Sequence, residues 1–225
     1  MAELNEVKTS EKNYGLENER VKTSFFYKIL KRCFDVISSL TAIVVFSPLF
    51  LIISLIIKLD SKGKVIFSHK RLGIYGKEIK VYNFRTMVSN AEEVLNKMSP
   101  NQKIEFEKNF KLDNDPRVTR VGNILRKTSL DELPQLFNIL LGNMSVVGPR
   151  PIIKKEVEKY GEYSNKLFSV KPGLTGMWQA NGRSCTTYEQ RVKMDMYYID
   201  NRSFWLDIKL ILKTVIVVIK REGAC

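Results

Sequence analysis

The sequence predicts a helix-rich, mixed α/β domain that associates with a membrane from one side only, as a monotopic protein does. Three observations predict it: a long uncharged run at 36–57 with a proline near its centre, a stretch at 64–88 in which apolar and polar residues alternate, and a basic, apolar segment at 204–221. We expect these segments to form a re-entrant helix-break-helix, a small β-hairpin or sheet, and interfacial amphipathic helices.

The composition is that of a chain that folds and binds anions. With 225 residues, 44% of them hydrophobic, the chain is long enough for one hydrophobic core, and its net charge of +13 favours an anionic partner. Cys33, Cys185 and Cys225 are an odd set without metal-ligand spacing, and His69 is the single histidine. This pattern excludes a zinc site or a Cys/His nucleophile pair and favours a reducing compartment.

The run at 36–57 would form roughly 33 Å of helix, which is long enough to cross a bilayer. Ser47 and Pro48 lie at its midpoint, where proline removes a helical hydrogen bond and bends the axis. Basic residues flank both ends, which favours both ends on the cytoplasmic side. We therefore predict a re-entrant hairpin in which the Ser47 hydroxyl or the other limb satisfies the freed carbonyl, with an ordinary kinked span as the alternative. The flanking basic residues, whose lysines we expect at lipid headgroups, are Lys28, Lys31, Arg32, Lys58, Lys62, Lys64, Lys70 and Arg71.

The segment at 204–221 is apolar but interrupted by charges, so its longest uncharged stretch is too short to span a membrane. Lys209, Lys213 and Lys220 fall near one face of a helix, which is typical of a helix that lies in the membrane interface with its lysines toward headgroups. A buried core helix has the same periodicity and is the alternative interpretation.

Between these segments we expect one soluble module. Residues 64–88 alternate β-branched and aromatic residues with polar ones around Gly73 and Gly76, which predicts a hairpin. Residues 90–112 mix acids and bases around apolar positions, which predicts a helix or a helical pair broken at Pro100. Residues 1–24 lack apolar periodicity, so we expect them to form a polar, flexible leader.

Asp131 and Glu132 stand at the start of an apolar segment that we expect to be a helix ending near Leu141, with Gly142 as its stop. With Asp131 as the N-cap, Pro134 would fall in the first turn, where its missing N–H costs nothing. A purely structural role is then available, because Asp131 would cap the helix and Glu132 would complement its dipole.

The positive charge around this acidic pair favours a chemical role instead. Arg126 lies just upstream, and two turns that contain Arg150 and Arg183 follow. Arginines bind phosphate oxygens bidentately, and a pair of carboxylates can hold Mg²⁺ together with substrate phosphates. An aspartate in such a place can attack phosphorus and form an acyl phosphate. The pattern indicates phosphoryl transfer at a membrane surface.

Motifs spread over about 31–223 resemble those of the bacterial sugar transferase family, the monotopic polyprenyl-phosphate phosphoglycosyl transferases. In chain order they are KRCFD with the hydrophobic run that contains SP, then FRTM, DPRVTRVG, RKTSLDELPQ, VVGPRP and KPGLTGMWQANGR. Each motif is weak alone, but their order and spacing make the resemblance specific. The chain resembles the minimal form of the family, which lacks the multi-span N-terminal region of large relatives.

The resemblance implies an enzyme at the cytoplasmic face of the bacterial inner membrane. It would move a sugar-1-phosphate from a UDP-sugar to polyprenyl (undecaprenyl) phosphate and release UMP, as the first membrane step of capsule, exopolysaccharide, O-antigen or glycoconjugate synthesis. Asp131 would be the nucleophile that carries the phosphosugar, and Asp131 and Glu132 would hold Mg²⁺. Ser47 and Pro48 match the family's membrane break. The implied phosphate and nucleotide ligands are Arg126, Arg150, Arg183, Arg85 and Arg117.

The implied organisation is a leader at 1–24, a juxtamembrane segment and re-entrant helix at 25–59, and a cytoplasmic catalytic domain with the C-terminal amphipathic helix at 60–225. The expected partners are a UDP-sugar, polyprenyl phosphate and membrane lipids, with a homo-oligomer and downstream glycosyltransferases as further candidates and no nucleic acid. The competing interpretation is a non-catalytic, membrane-anchored basic module that binds anionic lipid or nucleic acid. The sugar stays open between glucose, galactose and an N-acetylated sugar. One departure from the family is Asn83, which stands where many relatives have a lysine before FRTM.

Overall fold

A computed structural model of the protein describes residues 24–99, 102–103, 106, 112, 115–182 and 186–220. Most of the leader predicted at 1–24, the region around Pro100, and Arg183 therefore lie outside the described residues. The helices are α1 Phe25–Val45, α2 Ser47–Asp60, α3 Ala91–Asn96, α4 Arg120–Thr128, α5 Gln135–Leu140, α6 Val157–Tyr160, α7 Ser164–Leu167, α8 Met177–Ala180, α9 Tyr188–Asn201 and α10 Phe204–Ile219. The strands are β1 Ile66–Leu72, β2 Glu78–Phe84, β3 Ser145–Val147 and β4 Gly173–Thr175, and 3₁₀ turns occupy Ile74–Gly76, Leu130–Glu132, Lys154–Glu156 and Gly161–Tyr163.

Helices α1 and α2 form the predicted helix-break-helix. Phe46 alone separates them, and their axes bend by 61°. Pro48 lacks the N–H that would bond to the carbonyl of Val44, and the Ser47 hydroxyl donates to that carbonyl at 2.8 Å. The break and its repair by Ser47 are thus confirmed. Among the described residues no single helix has the length and apolar character to cross a membrane. Taken together, the bent pair of α1 and α2 has that length and apolar composition.

The basic end of α1 contacts protein. Lys31 forms an ion pair with Asp207 of α10 at 2.7 Å. Arg32 donates to the carbonyls of Ile139 and Leu140, at the end of α5, at 2.8 and 3.0 Å. The expectation that Lys31 faces lipid headgroups is therefore wrong, because an acidic side chain on another helix takes its charge.

Asp35, one turn further along α1, is 3% exposed and accepts two hydrogen bonds from β3. The Ser145 hydroxyl donates to its Oδ1 at 3.0 Å, and the Val146 N–H donates to the same atom at 2.9 Å. The motif KRCFD thus fixes α1 to three separate elements, α10, α5 and β3.

Strands β1 and β2 form an antiparallel hairpin with Ile66 opposite Phe84 and Leu72 opposite Glu78, which confirms the hairpin predicted at 64–88. Phe84 is 1% exposed and packs with Ile57 of α2 in one hydrophobic cluster. The strand that leads to FRTM is therefore packed directly on the second limb of the bent helix pair. Helix α3 confirms the first part of the helical prediction for 90–112.

The segment after α4 differs from the helix that the sequence predicts. Ser129 has a left-handed conformation (φ 56°), ends α4, and precedes the 3₁₀ turn Leu130–Glu132. Helix α5 begins only at Gln135, with Pro134 as its N-cap. The prediction that Asp131 caps this helix is wrong, because the left-handed residue redirects the chain into a tight turn first.

Strands β3 and β4 pair in parallel and bring together two loops that are distant in sequence. Gly148, just after β3, approaches β4 so closely that a Cβ atom on Gly173 would lie 2.1 Å from the Gly148 nitrogen. Only residues without a Cβ allow this backbone approach. The approach places the loop that carries Arg150 beside the KPGLTG loop.

Helix α10 has one buried and one exposed face. Asp207, Leu210 and Val217 are buried. Lys209 and Lys213 are exposed at the border of an apolar strip. The inner face therefore packs as the core-helix interpretation predicts. The outer face is an apolar strip bordered by lysines, as the interfacial interpretation would require. The exposed apolar residues of the strip are Trp205, Leu212, Val215, Ile216 and Ile219.

Candidate active site

The 3₁₀ turn Leu130–Glu132 contains Asp131 and Glu132, and a leucine on each side of this acidic pair packs into the core. Leu130, before the pair, packs on the cluster that joins α2, β2 and α4. Leu133, after the pair, packs on that cluster and on the cluster beneath α5. Because both leucines point into the core, the turn holds Asp131 and Glu132 at the partly exposed surface between them.

Asp131 has an environment that favours its protonated form. Burial raises the pKa of Asp131 to about 7, and the adjacent charge of Glu132 acts in the same direction. Arg126 and Arg150 lower the pKa and so stabilise the ionised form, and the side chain of Asn83 does the same by hydrogen bonding. A carboxylate that is poised near neutral pH among arginines is typical of a functional site.

Glu132 is paired with an arginine from the loop after β3. Arg150 Nη1 donates to Glu132 Oε1 at 2.9 Å, and both side chains are partly exposed. The guanidinium of Arg150 also lies over the ring of Trp178, 5.8 Å from its centroid. The close pairing of β3 with β4 therefore brings an arginine and an indole from two loops to the acidic turn.

A buried network behind Arg150 was not predicted from the sequence. Glu156 accepts from Arg71 Nη1 at 3.5 Å and from Arg191 Nη1 at 3.3 Å. Arg191 also lies over Trp178, 4.9 Å from the ring centroid. Burial and the charge of Arg150 lower the pKa of Arg71 to about 10. The sequence assigned Arg71 to the basic flank of the membrane run, but the hairpin carries it to the acidic turn instead.

Arg126 reaches the site from the last turn of α4. Its Nε donates to the Thr86 hydroxyl at 2.9 Å, and the Thr86 carbonyl accepts from Thr119 N–H at the start of α4. Helix α4 can approach Thr86 this closely because residue 122 is a glycine. A Cβ atom added to Gly122 would lie 2.0 Å from the Thr86 carbonyl oxygen. One residue of the FRTM motif thus positions both ends of the helix that precedes the acidic turn.

Two of the arginines that the sequence assigned to phosphates are engaged elsewhere. Arg85 is 8% exposed and donates to the carbonyls of Ile57, Ser61 and Lys62 at the end of α2. Arg117 is 6% exposed and forms a bidentate pair with Asp115.

The structure thus brings four of the predicted site residues together: Asp131, Glu132, Arg126 and Arg150. Arg85 and Arg117 are bonded to other groups of the protein, and Arg183 lies outside the described residues.

Asp131 and Glu132 are adjacent, partly exposed carboxylates, which is the kind of donor set that would hold a magnesium ion shared with a substrate. Among the described residues no cluster of three or more His, Cys, Asp or Glu side chains forms a metal cage. Mg²⁺ is usually held by one or two carboxylates, several waters and substrate phosphates, so a cage is not needed.

A family model described as bacterial sugar transferase matches residues 26–221, nearly the whole chain. The chain belongs to the bacterial sugar transferase family. It is 45% identical over 212 residues to an undecaprenyl-phosphate galactose phosphotransferase of Salmonella typhimurium, covering 93% of this chain and 44% of that protein. It is 44% identical over 197 residues to the exopolysaccharide production protein ExoY of Rhizobium meliloti, covering 86% of this chain and 87% of that protein.

A third relative is the UDP-glucose:undecaprenyl-phosphate glucose-1-phosphate transferase of Escherichia coli, 42% identical over 196 residues. These residues cover 84% of this chain and 40% of that protein. The chain thus spans less than half the length of the Salmonella and Escherichia relatives and most of the length of ExoY. The resemblance noted from the motifs is confirmed at the level of the family.

Proposed function

We propose that the protein transfers a sugar-1-phosphate from a UDP-sugar to undecaprenyl phosphate and releases UMP. The observation that carries the proposal is the acidic turn, where Asp131 and Glu132 lie between Arg126 and Arg150 in a member of the sugar transferase family. The names of the Salmonella and Escherichia relatives describe transfer to the same lipid phosphate. The name of ExoY supports a role in exopolysaccharide production.

In the first half-reaction, a carboxylate oxygen of Asp131 attacks the phosphorus that bears the sugar. A bond forms between Asp131 and this phosphorus, the bond to the oxygen shared with UMP breaks, and UMP leaves with the electron pair. Arg126 and Arg150 stand where they can stabilise the charge that develops on the phosphate oxygens. Mg²⁺, held by Asp131 and Glu132, would supply further neutralisation of the diphosphate.

In the second half-reaction, an oxygen of the lipid phosphate attacks the same phosphorus. The bond between Asp131 and phosphorus breaks, which regenerates the carboxylate and leaves the sugar on a lipid diphosphate. Arg71 and the buried Arg191, which both pair with Glu156, would hold the loop of Arg150 in place through both steps. No proton has to be moved in either step, which agrees with a site built from carboxylates and arginines.

The proposed location is the cytoplasmic face of the inner membrane. The bent pair of α1 and α2 would enter one leaflet and return, and the apolar strip of α10 would lie in the interface with Lys209 and Lys213 beside it. The lipid phosphate is fixed at headgroup level, so the site must be held there too. Lysine and arginine near an anionic leaflet would each contribute about 1 kcal/mol to this attachment.

The decisive experiment uses the full chain in nanodiscs with Mg²⁺, undecaprenyl phosphate and a panel of UDP-sugars, and it measures UMP release. We expect the Asp131→Asn variant to lose activity by roughly three orders of magnitude or more, because it removes the nucleophile. Asp200→Asn is the matched control, since Asp200 pairs with Lys166 on the outer surface of the domain. Full activity of Asp131→Asn would refute the mechanism.

The covalent intermediate is tested separately by omitting the lipid acceptor. Wild-type protein with its UDP-sugar should then release about one UMP per site. Intact mass spectrometry should detect one added sugar phosphate, and peptide mapping should locate it on the peptide that contains Asp131. A substrate panel of UDP-glucose, UDP-galactose and N-acetylated UDP-sugars identifies the sugar. Tight binding of anionic lipid without UMP release from any sugar would favour the non-catalytic module instead.

A further inference from the structure

Two positively charged side chains from distant parts of the chain meet at the end of helix α5. Arg32 of α1 donates to the carbonyls of Ile139 and Leu140 there. Lys171 comes from the KPGLTG loop. A Cβ atom added to Gly142 would lie 3.4 Å from Arg32 Nη2 and 3.6 Å from Lys171 Nζ. The guanidinium and the ammonium therefore flank one point of the backbone just after α5.

The ammonium of Lys171 is held in this place without a bond to the protein. It forms neither a hydrogen bond nor an ion pair with any residue that the structure describes. Burial and the neighbouring charge of Arg32 lower the pKa of Lys171, and the carboxylate of Asp35 opposes them only in part. Asp35 Oδ1 is itself occupied by its two hydrogen bonds from β3. The half-buried pair of cations thus has room for a further anion.

The pair lies where the proposed membrane position puts lipid headgroups. The uncharged part of α1 begins at Val36, one turn after Arg32, so Arg32 stands about 6 Å outside the apolar part of the helix. Leu141, which directly precedes Gly142, is exposed, and so is Ile37 on α1. Cations that border exposed apolar side chains match a lipid, which offers a phosphate and acyl chains together.

We propose that Arg32 and Lys171 bind the phosphate of an anionic membrane phospholipid whose acyl chains lie along the exposed face of α1. This inference goes beyond the proposed transfer reaction and rests on the proposed position of α1 in the membrane. A guanidinium has five N–H groups, and Arg32 uses one on each of two carbonyls, so it keeps donors for a phosphate oxygen. Lys171 supplies a second charge-assisted hydrogen bond.

This phosphate is a different one from the phosphate that reacts at Asp131. Helix α5 begins at Gln135, close to the acidic turn, whereas Arg32 binds the carbonyls at the opposite end of the helix. Six residues of helix extend about 9 Å, which separates the two positions. A phospholipid at the cation pair would therefore hold the far end of α5 at headgroup height and leave the acidic turn open to substrates.

The test is thermal unfolding of the full chain in uncharged detergent micelles that are titrated with phosphatidylglycerol, with phosphatidylcholine as the lipid without net charge. A ligand that binds only the folded protein raises the unfolding temperature according to its Kd. We expect phosphatidylglycerol to stabilise the wild type and Lys171→Met to bind it roughly fivefold more weakly, the loss expected for one cation at an anionic lipid. Without lipid, Lys171→Met should unfold at the wild-type temperature or above it, since repulsion from Arg32 is removed.

Two further variants separate this site from general attraction to negative charge. Lys171→Arg keeps the charge and the donors, so its Kd for phosphatidylglycerol should stay within about twofold of wild type. Lys97→Met is the matched control, because Lys97 is an exposed lysine at the end of α3, and its Kd should also stay within about twofold. The same titration with undecaprenyl phosphate measures binding of the reacting lipid, which Lys171→Met should leave unchanged.

Several results would overturn the inference. One is the same Kd for phosphatidylglycerol in Lys171→Met and in the wild type. Another is equal stabilisation of the wild type by phosphatidylcholine. A third is a Lys171→Met variant that loses affinity for undecaprenyl phosphate alone, which would assign the pair to the reacting lipid. Wild-type protein that does not bind lipid bilayers would instead refute the proposed membrane position, and wild-type protein that releases no UMP would refute the proposed reaction.

Discussion

Replacing Asp35 by alanine should destabilise the protein, because it removes the hydrogen bonds that join α1 to β3. The variant leaves the Ser145 hydroxyl and the Val146 N–H without their acceptor, at a buried and a partly buried residue respectively. An unsatisfied buried donor costs about 1–3 kcal/mol, so the two together should cost about 2–6 kcal/mol. For a chain of this size, each kcal/mol lowers the unfolding temperature by about 2–4 °C, so the expected fall is about 4–24 °C.

The assay is thermal unfolding of the full chain in nanodiscs, followed by tryptophan fluorescence. Asp35→Asn is the informative partner, because an amide oxygen can accept both hydrogen bonds and should therefore retain most of the stability. Lys28→Ala, an exposed change on the same helix, is the control. An unchanged unfolding temperature in Asp35→Ala would refute the stabilising role of the hydrogen bonds between Asp35 and β3. An equal loss in Asp35→Asn would mean that the charge near Lys31 and Arg32 matters more than the acceptor.

Further predictions concern the site and the membrane hairpin. In the proposed mechanism only ionised Asp131 is nucleophilic, and burial raises its pKa to about 7. At a Mg²⁺ concentration far below saturation, kcat/KM should therefore fall about tenfold per pH unit below 7 and level off above it, and saturating Mg²⁺ should move this acid limb to lower pH. An acid limb near pH 4 at low Mg²⁺ would contradict this. Glu132→Gln should raise the Mg²⁺ concentration for half-maximal UMP release roughly tenfold, and an unchanged requirement would remove Glu132 from the metal. Arg85→Met removes three hydrogen bonds to the end of α2 and should lower the free energy of unfolding by about 2–4 kcal/mol. An unchanged free energy of unfolding would mean that Arg85 acts only on substrate. In a chain whose other cysteines are serine, an impermeant thiol reagent should label Cys33 and Lys62→Cys from the cytoplasmic side alone; labelling of Cys33 from the opposite side would indicate a span.

Local chemistry explains which parts of the fold the sequence predicted. The break at Ser47 and Pro48 follows from one missing N–H and one nearby hydroxyl, and both lie within four residues of the carbonyl they affect. The hairpin follows from alternation along two adjacent strands around Gly73. Such features need no distant partner, so the sequence alone is sufficient to infer them.

The turn that carries Asp131 was mispredicted for a different reason. A helix with an acidic cap was the simplest local solution, but Ser129 adopts a left-handed conformation that serine rarely takes. The packing of Leu130 and Leu133 on either side of the acidic pair accompanies that conformation. Tertiary contacts therefore override the local preference, and a pattern of residue types does not encode them.

The roles of the arginines were the least predictable, because they depend on pairings far apart in the chain. Arg71 meets Glu156, 85 positions away. Arg85 meets the end of α2, and its neighbour in FRTM, Thr86, meets Arg126, 40 positions away. Motif membership indicated that these residues matter, but only the fold separates those that face the acidic turn from those that hold helices together.

The same contacts explain how a site for a lipid phosphate can be kept at a fixed height. Helix α1 is joined to α5, which follows the acidic turn, through Arg32, and to β3, which precedes Arg150, through Asp35. Helix α2 is joined to the end of β2 through Arg85. Helix α1 is thus tied to the element that follows Asp131 and to the one that precedes Arg150, and α2 is tied to the strand that leads to the FRTM motif. In the proposed membrane position, the depth of the hairpin therefore sets the depth of Asp131, and part of the +13 charge is used within the protein to maintain it.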